Sequence, residues 1–250
     1  SQAELIRIAI QSMGLNEISA FNPQERIIEY QLAHDHKNLL VDMGITEFVD
    51  ELASDSPAPG GGSVSALASA MAAGLTNMVG VLTFGKKDYA SNQLEIETVS
   101  NQAQALKDIM LHLVDEDTKS FNDVMAAMRL PKASPEEQAT REQALQEATI
   151  YSARVPLQVM EHSFEIMKLA ARMAEIGNQN SLSDAGVAVL QAQAGLEGAA
   201  LNVLINIPGI ADKALVLDLE KRVAKLRRES ATLARKCLDR VDSKLSANQG

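Results

Sequence analysis

Apolar residues recur every three or four positions over most of this chain, which is the period of an α-helix. The pattern predicts six main helices, over residues 46–54, 64–84, 92–130, 134–177, 184–207 and 212–245. No segment of any length after residue 40 alternates with the period of two that marks a half-buried strand. The pattern therefore predicts an all-α fold, a multihelical bundle.

Two of these helices, 64–84 and 184–207, are built from small residues and carry almost no charge. The first has large apolar residues every three or four positions: Val64, Leu67, Met71, Leu75, Met78 and Leu82. No charged residue occurs between Asp55 and Lys86, and a helix without a polar face either spans a membrane or is surrounded by other helices. Because Asn77 and the serines would be costly in lipid, we predict two buried central helices inside a shell of amphipathic ones.

The helix ends carry local signals. Ser134-Pro135-Glu136-Glu137 forms a capping box, and Pro156 is expected to kink the helix that follows. Ser183 is expected to cap the second small-residue helix, which Pro208-Gly209 closes. Near the N-terminus, residues 3–13 are typical of a short helix ended by Gly14.

Residues 22–30 fit two structures. Asn22-Pro23-Gln24-Glu25 has the form of a helix start, whereas Arg26-Ile27-Ile28-Glu29-Tyr30 is equally compatible with a strand.

Charge and composition argue against one class of function, the binding of nucleic acid. The net charge is −10, aromatic residues make up 3% and there is no Trp, so the chain lacks the basic surface and the stacking side chains that bind nucleic acid.

The single cysteine, Cys237, falls on the apolar stripe of the last helix and is expected to be a buried structural thiol. No signal pattern or uninterrupted span is present, so we expect a cytoplasmic protein without a membrane anchor. Because residue 1 is Ser, we expect that the natural start has been removed or that the chain is cut from a longer one.

Asp117 is the most informative candidate for chemistry. It lies in the middle of an apolar stripe formed by Leu106, Met110, Leu113, Phe121, Val124 and Met128. Such a carboxylate either caps or pairs with another element, or is desolvated so that its pKa rises and it can donate a proton. Asp115 and Glu116 point away from the stripe and are expected to be solvated.

A glycine-rich loop, Pro57 to Gly62, precedes the first small-residue helix and places free backbone amides at its N-terminus. Lys86-Lys87, after the same helix, are either an anion-binding spot or a solvated C-terminus favoured by the helix dipole. The segment 80–87 is not a phosphate-binding P-loop, because a second Lys replaces the required hydroxyl residue and a helix precedes it.

Three further polar features could be structural or functional. Asn202 and Asn206 lie one turn apart in an apolar helix, so they either bond a neighbouring helix or line a ligand site. Asp184 fits a helix N-terminus. His34 and His36 have no cluster of partner ligands, and we expect no metal site.

Several motifs together resemble one family, the cyclodeaminase half of formimidoyltransferase-cyclodeaminase, a folate enzyme of histidine breakdown. They are Ala58-Pro59-Gly60-Gly61-Gly62-Ser63-Val64, Phe84-Gly85-Lys86-Lys87, Asp115-Glu116-Asp117, Met128-Arg129-Leu130-Pro131, Val155-Pro156-Leu157, Gly177-Asn178, Ser183-Asp184 and Asn202-Val203-Leu204-Ile205-Asn206. They occur in order between residues 46 and 243, and residues 5–30 resemble the segment that ends the transferase half. We therefore predict a segment 1–40 from the end of the transferase half plus a linker, and a cyclodeaminase domain 41–250, without transferase activity.

The resemblance implies conversion of 5-formimidoyltetrahydrofolate to 5,10-methenyltetrahydrofolate and ammonia, with Asp117 as the general acid. It implies a substrate site formed by Gly60, Gly61, Gly62, Ser63, Lys86, Lys87, Asp184, Asn202 and Asn206. The glycine amides are expected to hold the pterin or formimidoyl end, and the two lysines to attract the glutamate tail, which can be a polyglutamate. No tightly bound cofactor is expected. The small-residue helices make a homodimer or higher homo-oligomer plausible, and a formimidoyltransferase domain is a possible partner.

Two other functions remain open from the sequence. The same fold and ligand would serve a methenyltetrahydrofolate cyclohydrolase, in which water opens the ring and no ammonia is released. A helical oligomerisation module without catalysis would also account for the long amphipathic helices.

Overall fold

The computed structural model describes residues 12–14 and 39–247, and all regular structure in these residues is helical. Six α-helices lie between residues 39 and 247: α1 Ile45–Leu52, α2 Gly61–Thr83, α3 Gln93–Met128, α4 Pro135–Ile176, α5 Leu182–Asn206 and α6 Lys213–Ala247. Short 3-10 turns occur at Leu40–Asp42, Lys87–Asn92, Gln179–Ser181 and Ile207–Gly209. The all-α prediction is confirmed.

The chain forms two compact units, divided between Ile45 and Thr46. In the first unit, Gly14 has φ of +62°, the left-handed conformation that commonly ends a helix. The predictions for residues 3–11 and 22–30, and the histidines at 34 and 36, lie outside the described residues. The second unit contains α2 to α6.

Small residues let the helices of the second unit approach closely. α2 packs against α3, α4 and α5, and α5 packs against α2, α4 and α6. A methyl group on Gly80 of α2 would lie 1.9 Å from Ser100 Oγ of α3, so the Ser100 side chain packs directly against the α2 backbone. Ser69 and Ser163 join α2 to α4 by a hydrogen bond of 2.7 Å. The two small-residue helices are therefore central to the packing of the bundle, as predicted, but no shell of other described helices covers their outer faces.

The orientation of these helices differs from the prediction. Their small residues face the bundle, whereas the large apolar residues that the sequence singled out are exposed, including Met71 at 52% and Leu82 at 45%. Segments Gly61–Thr83 and Gln179–Gly209 have the length and composition of membrane spans. In the most apolar part of each segment, 50% and 44% of the residues are buried inside the protein, so about half of the residues there are at least partly exposed. Close packing selects small side chains for the inner face, so the large ones are left on the outer face.

The helix ends match the sequence signals at most positions. Ser134 and Glu137 form the predicted capping box, and α4 continues as one helix through Pro156. Ser183 does not cap α5, because the 3-10 turn Gln179–Ser181 runs directly into a helix that begins at Leu182. Cys237 is free and buried, as predicted.

Replacing Gly195 by Ala should destabilise the bundle. The new Cβ would lie 2.1 Å from Ser69 Oγ and 2.6 Å from the Ser65 carbonyl oxygen, so α2 and α5 would have to separate. We expect the free energy of unfolding, measured by chemical denaturation, to fall by roughly 1–3 kcal/mol. Gly186→Ala is the matched control on the same helix, because its Cβ meets only a Val241 methyl group at 3.3 Å. Equal stabilities of the two variants would contradict this packing.

Candidate active site

One cavity of about 340 Å³ lies where the N-terminus of α2 meets the second half of α3 and the C-terminal end of α5. It is lined by Pro57, Ala58, Gly60, Gly61, Gly62, Asp117, Thr118, Ser120, Phe121, Val124, Met125, Met128, Ser152, Asn202, Ile205 and Asn206. Its volume falls in the range of small-molecule sites, and its lining combines an apolar wall with a few polar groups. The glycine loop, the predicted aspartate and both asparagines therefore share one site.

Asp117 reaches the cavity from α3 and lies against the first turn of α2. A Cβ on Gly62 would be only 2.0 Å from Asp117 Oδ1, so the carboxylate occupies the space that any side chain at residue 62 would need. Gly60 is the N-cap of α2, without a side-chain cap, and Gly61 and Gly62 open the helix. The glycines of the loop thus allow a carboxylate to approach a helix N-terminus directly.

Ser63 holds this carboxylate in place. The Ser63 side chain is fully buried, and its hydroxyl lies 3.1 Å from Asp117 Oδ2 and 3.0 Å from the Val114 carbonyl oxygen, both acceptors for its proton. Ser63 has no exposed surface and does not line the cavity, so its contact with substrate stays a prediction. Its role is to position Asp117.

Burial and hydrogen bonding act on Asp117 in opposite directions. Burial raises the pKa of the carboxyl, while hydrogen bonds from the side chain and backbone of Ser63 lower it, and the net result is a pKa above its ordinary value of 3.8. The Asp117 carboxyl therefore keeps its proton to a higher pH than an ordinary Asp does. Once the proton is lost, the carboxylate can accept the hydrogen bonds from Ser63. A group with these properties can donate a proton and carry the charge that results.

The raised pKa of Asp117 gives stability a defined pH dependence. A carboxyl whose pKa is higher in the folded than in the unfolded chain stabilises the fold below the unfolded value of 3.8, and this contribution is lost as pH rises through the folded pKa. Asp117→Asn lacks this titration. We therefore expect the free energy of unfolding of the variant to rise relative to wild type as pH increases through this window, measured by urea denaturation at a series of pH values. A difference that stays constant with pH would show that burial does not raise the pKa.

The two asparagines on α5 are anchored through their amide nitrogens. Asn202 Nδ2 donates to the Gly198 carbonyl oxygen at 2.9 Å, and Asn206 Nδ2 donates to the Ser152 carbonyl oxygen at 3.0 Å. Because carbonyl oxygens accept only from NH₂, these bonds fix which end of each amide is nitrogen. Asn206 therefore bonds a neighbouring helix, as one interpretation predicted, and it also lines the cavity.

The bond from Asn206 compensates for the proline inside α4. Pro156 has no N–H, so the carbonyl oxygen of Ser152, four residues earlier, lacks its helical donor, and Asn206 supplies one. Asn206→Ala should lower the free energy of unfolding by roughly 1–3 kcal/mol, since a buried acceptor is left unpaired. In a Pro156→Ala background the new N–H serves Ser152, and we expect the cost of Asn206→Ala to shrink by about 1 kcal/mol in a double-mutant cycle. Additive effects would mean that the two residues act independently.

Lys86, Lys87 and Asp184 do not join this site within one chain. The lysines follow the C-terminal end of α2, roughly 30 Å from Gly62 at the helical rise of ~1.5 Å per residue. Asp184 lies in the first turn of α5, about 27 Å from Asn202 by the same rise. The predicted set of substrate residues is therefore divided between two ends of the bundle, because α2 and α5 each span its length.

Two expectations about α3 are corrected. Glu116 is not a solvated charge: its side chain is only 16% exposed, and it accepts hydrogen bonds from Tyr151 and Lys119. The Tyr151 hydrogen bond is the main cause of its lowered pKa, and the same pair raises the pKa of Tyr151 to about 12. Phe121 and Met128, assigned to a core-facing stripe, are 37% and 49% exposed and line the cavity instead.

Sequence reasoning missed the wall contributed by α4 and the end of α5. Ser152 and Ile205 line the cavity, and Thr118 lies 3.3 Å from Ser63 behind Asp117. Of these three residues, only Thr118 had a signal in the sequence, because it directly follows Asp117. Among the described residues, no group of three His, Cys, Asp or Glu side chains could hold a metal ion.

The fold and site define an all-α protein with one partly buried carboxylic acid at the mouth of a glycine-rich helix N-terminus. The family model described as formiminotransferase-cyclodeaminase matches residues 44–225, and the model described as formiminotransferase domain matches residues 1–33. The chain belongs to the formiminotransferase-cyclodeaminase family.

Three relatives illustrate the range of this family. The chain is 40% identical over 202 residues to a methenyltetrahydrofolate cyclohydrolase from Methylorubrum extorquens, covering 81% of this chain and 97% of that one. It is 34% identical to formimidoyltransferase-cyclodeaminase from Sus scrofa, covering 96% of this chain and 44% of the relative, so it spans less than half of that longer protein. The crystal structure of formiminotetrahydrofolate cyclodeaminase from Thermotoga maritima superimposes with a TM-score of 0.69 at 28% identity, covering 84% of this chain and 98% of that one. These relatives are folate-processing enzymes, which argues against a module without catalysis.

Proposed function

We propose that this chain is a formimidoyltetrahydrofolate cyclodeaminase, an ammonia-lyase that converts 5-formimidoyltetrahydrofolate to 5,10-methenyltetrahydrofolate and ammonia. The observation that carries the proposal is the placement of Asp117. It is a carboxyl with a raised pKa, held by Ser63 at the edge of a cavity large enough for a folate ring system. Membership of the family supports the substrate class.

The residues of the site fit the chemistry of this reaction. Folate N10 attacks the formimidoyl carbon, and its hydrogen passes to the imino nitrogen, which gives a tetrahedral intermediate with an amino group. Asp117 donates a proton to that amino group as the carbon–nitrogen bond breaks, which leaves ammonia and the cationic methenyl bridge. A well-placed general acid contributes ~10²–10⁴-fold in rate. The carboxylate left behind accepts the hydrogen bonds of Ser63 at the N-terminus of α2.

The lining of the cavity supports the placement of the substrate. Phe121 and Met128 offer an apolar wall for a flat ring, and the amides of Gly60 and Gly61 at the helix N-terminus are donors for carbonyl or imino groups of the ligand. The Asn202 and Asn206 oxygens offer acceptors for ring N–H groups, because their amide nitrogens are engaged elsewhere. The folate is thus held with its reacting carbon near Asp117.

A methenyltetrahydrofolate cyclohydrolase is the second candidate, and the 40% identity to such an enzyme favours it specifically. The deciding experiment supplies the purified chain separately with 5-formimidoyltetrahydrofolate and with 5,10-methenyltetrahydrofolate. Our proposal expects ammonia from the first substrate at a kcat/KM well above that for ring opening of the second. The reverse order, without ammonia, would assign the chain to the cyclohydrolases.

We also propose that the enzyme acts in the cytoplasm, in histidine breakdown and one-carbon metabolism, as a homodimer without a tightly bound cofactor. The buried free thiol of Cys237 suits a reducing compartment. The match of residues 1–33 to the formiminotransferase domain supports a formimidoyltransferase as the partner that delivers the substrate. Ultracentrifugation and metabolite feeding would test these points separately.

A further inference from the structure

The cavity around Asp117 holds a single acid, whereas the proposed reaction moves two hydrogens. The nitrogen that leaves as ammonia takes up one hydrogen from folate N10 and one from an acid. N10 and that nitrogen are bonded to the same carbon, so a direct transfer between them is sharply bent, far from the near-linear geometry that hydrogen bonds prefer. Among the described residues that line the cavity, Asp117 is the only one with an ionisable side chain. The N10 hydrogen therefore needs a route through neutral groups.

Two hydroxyl groups join the cavity to the carboxyl of Asp117. Thr118 lines the cavity, and its Oγ1 lies 3.3 Å from Ser63 Oγ, with either oxygen able to donate. Ser63 Oγ in turn lies 3.1 Å from Asp117 Oδ2. These distances are at the long end for hydrogen bonds between oxygens, as is common for catalytic groups without substrate. The three side chains thus form a continuous chain of oxygens from the cavity to the carboxyl.

The spacing of residues on α3 creates this chain. Val114, Asp117 and Thr118 are three and four positions apart, so they share one face of the helix. That face is turned to the first turn of α2, where Ser63 is fully buried. Ser63 Oγ therefore has a third oxygen neighbour, the Val114 carbonyl oxygen at 3.0 Å. Because Ser63 has no exposed surface, water does not compete with these oxygens for its proton.

The Ser63 hydroxyl has a partner for its proton in either direction of the chain. A hydroxyl donates one hydrogen bond and can accept two. While Asp117 Oδ2 carries no proton, Ser63 can donate to it and accept from Thr118. Once Oδ2 is protonated, Ser63 can accept from it and donate to the Val114 carbonyl oxygen. The chain can therefore reverse without leaving a buried donor unpaired, which would cost ~1–3 kcal/mol.

We infer that Thr118 and Ser63 relay the proton of folate N10 to Asp117, so that one carboxyl serves both proton transfers of the reaction. This inference rests on the proposed function, since it takes the ligand to be a formimidoyl-folate. It gives Thr118 a catalytic role, because its hydroxyl faces the reacting atoms, and it gives the buried Ser63 a task beyond holding Asp117 in place.

The transfers balance. N10 bonds to the formimidoyl carbon and gives its proton to Thr118, the Thr118 proton moves to Ser63, and the Ser63 proton moves to Asp117 Oδ2. The proton on Oδ1, the oxygen beside the cavity-lining Gly62, bonds to the imino nitrogen, which keeps the electron pair of the broken C=N π bond. Asp117 is thus an acid again. A half-turn of its carboxyl, whose torsion is broad and two-fold, returns the proton to the cavity side for release of ammonia.

Removal of the Thr118 hydroxyl tests the relay. Thr118→Val keeps the shape of the side chain, and we expect the single-turnover rate of ammonia release at saturating enzyme to fall by at least ~10-fold, since water replaces the hydroxyl only in part. Thr118→Ser retains the hydroxyl and should stay within about threefold of wild type. Thr98→Val is the matched control on α3 and should leave the rate unchanged, because Thr98 is exposed and its hydroxyl bonds the Leu94 carbonyl oxygen of its own helix.

Solvent isotope effects separate a relay from a structural role of Thr118. If several protons move together, the wild-type rate should depend on the deuterium fraction of the water along a curve, and in Thr118→Val the dependence should become linear. A double-mutant cycle adds a second readout: in a Ser63→Ala background the chain is already broken, so Thr118→Val should cost little more. An undiminished loss in that background would mean that Thr118 acts without Ser63 and would overturn the relay.

The remaining outcomes also decide the inference. A Thr118→Val enzyme as fast as wild type would show that water or the substrate itself carries the N10 proton, and a linear isotope dependence in wild type would show that only one proton moves. Equal losses in Thr118→Val and Thr118→Ser would assign the effect to side-chain packing. Each of these results overturns the relay while ammonia release by wild type still supports the proposed function. A wild-type chain that releases no ammonia would refute the proposed function itself.

Discussion

Asp117→Asn is expected to lower kcat for ammonia release from 5-formimidoyltetrahydrofolate by at least ~100-fold, because it removes the proton that the leaving amino group needs. The amide can still accept the hydrogen bond from Ser63, so the variant should fold. Steady-state rates from ammonia and methenyl absorbance together would measure the effect. Asp108→Asn is the matched control on the same helix, because the Asp108 side chain is 64% exposed and lies outside the cavity lining.

An Asp117→Asn enzyme as fast as wild type would remove Asp117 from the chemistry. Glu116 is poorly suited to replace it, since its lowered pKa and its bond to Tyr151 keep it ionised and turned away from the cavity. Asp184 is at the other end of α5. Loss of activity in both the Asp117 and the Asp108 variants would point instead to a defect in α3 itself.

Gly62→Ala is expected to lower kcat by roughly 100-fold while leaving the carboxylate in the protein, because misplacement of a catalytic group by ~1 Å costs about that much. The Cβ would lie 2.0 Å from Asp117 Oδ1, so the carboxylate has to leave its position. Ala is a better helix former than Gly, so the loss cannot come from a weaker helix. Gly61→Ala is the graded comparison, since its Cβ meets Asn202 Nδ2 at 3.3 Å and requires only a small adjustment.

Circular dichroism and denaturation would establish that both glycine variants are folded. A Gly62→Ala enzyme with wild-type kcat would show that the carboxylate tolerates displacement and that its contact with the α2 N-terminus is not needed. A loss confined to KM would assign Gly62 to substrate binding instead.

The sequence predicted those parts of the site that depend on local pattern. Asp117 could be found because a carboxylate in an apolar helical stripe is anomalous, and the glycine loop because a run of Pro and Gly residues favours a helix end over a helix interior. The capping box of α4 likewise needs only four consecutive residues. Such features are fixed by periodicity and backbone chemistry, which a single sequence carries.

Tertiary contacts decided the rest. The exclusion of a side chain at Gly62 depends on Asp117, 55 positions later, and the role of Asn206 depends on a carbonyl that Pro156 leaves unpaired in another helix. The apolar stripe that includes Met71 and Leu82 has the helical period, but it lies on the outer face of α2 and not on the predicted inner face. Close helix packing favours small residues such as Ala, Ser and Gly on the inner face. Periodicity identifies a face of a helix but not which neighbour covers it.

The most direct test of the account is the stoichiometry of ammonia and methenyl product during the first turnovers of wild-type enzyme on 5-formimidoyltetrahydrofolate. Ammonia is measured by a coupled assay and the methenyl bridge by its absorbance. We predict that the two appear together in a one-to-one ratio and that both are suppressed in Asp117→Asn. Absence of ammonia from the wild-type reaction, or equal ammonia release by the Asp117 variant, would contradict it.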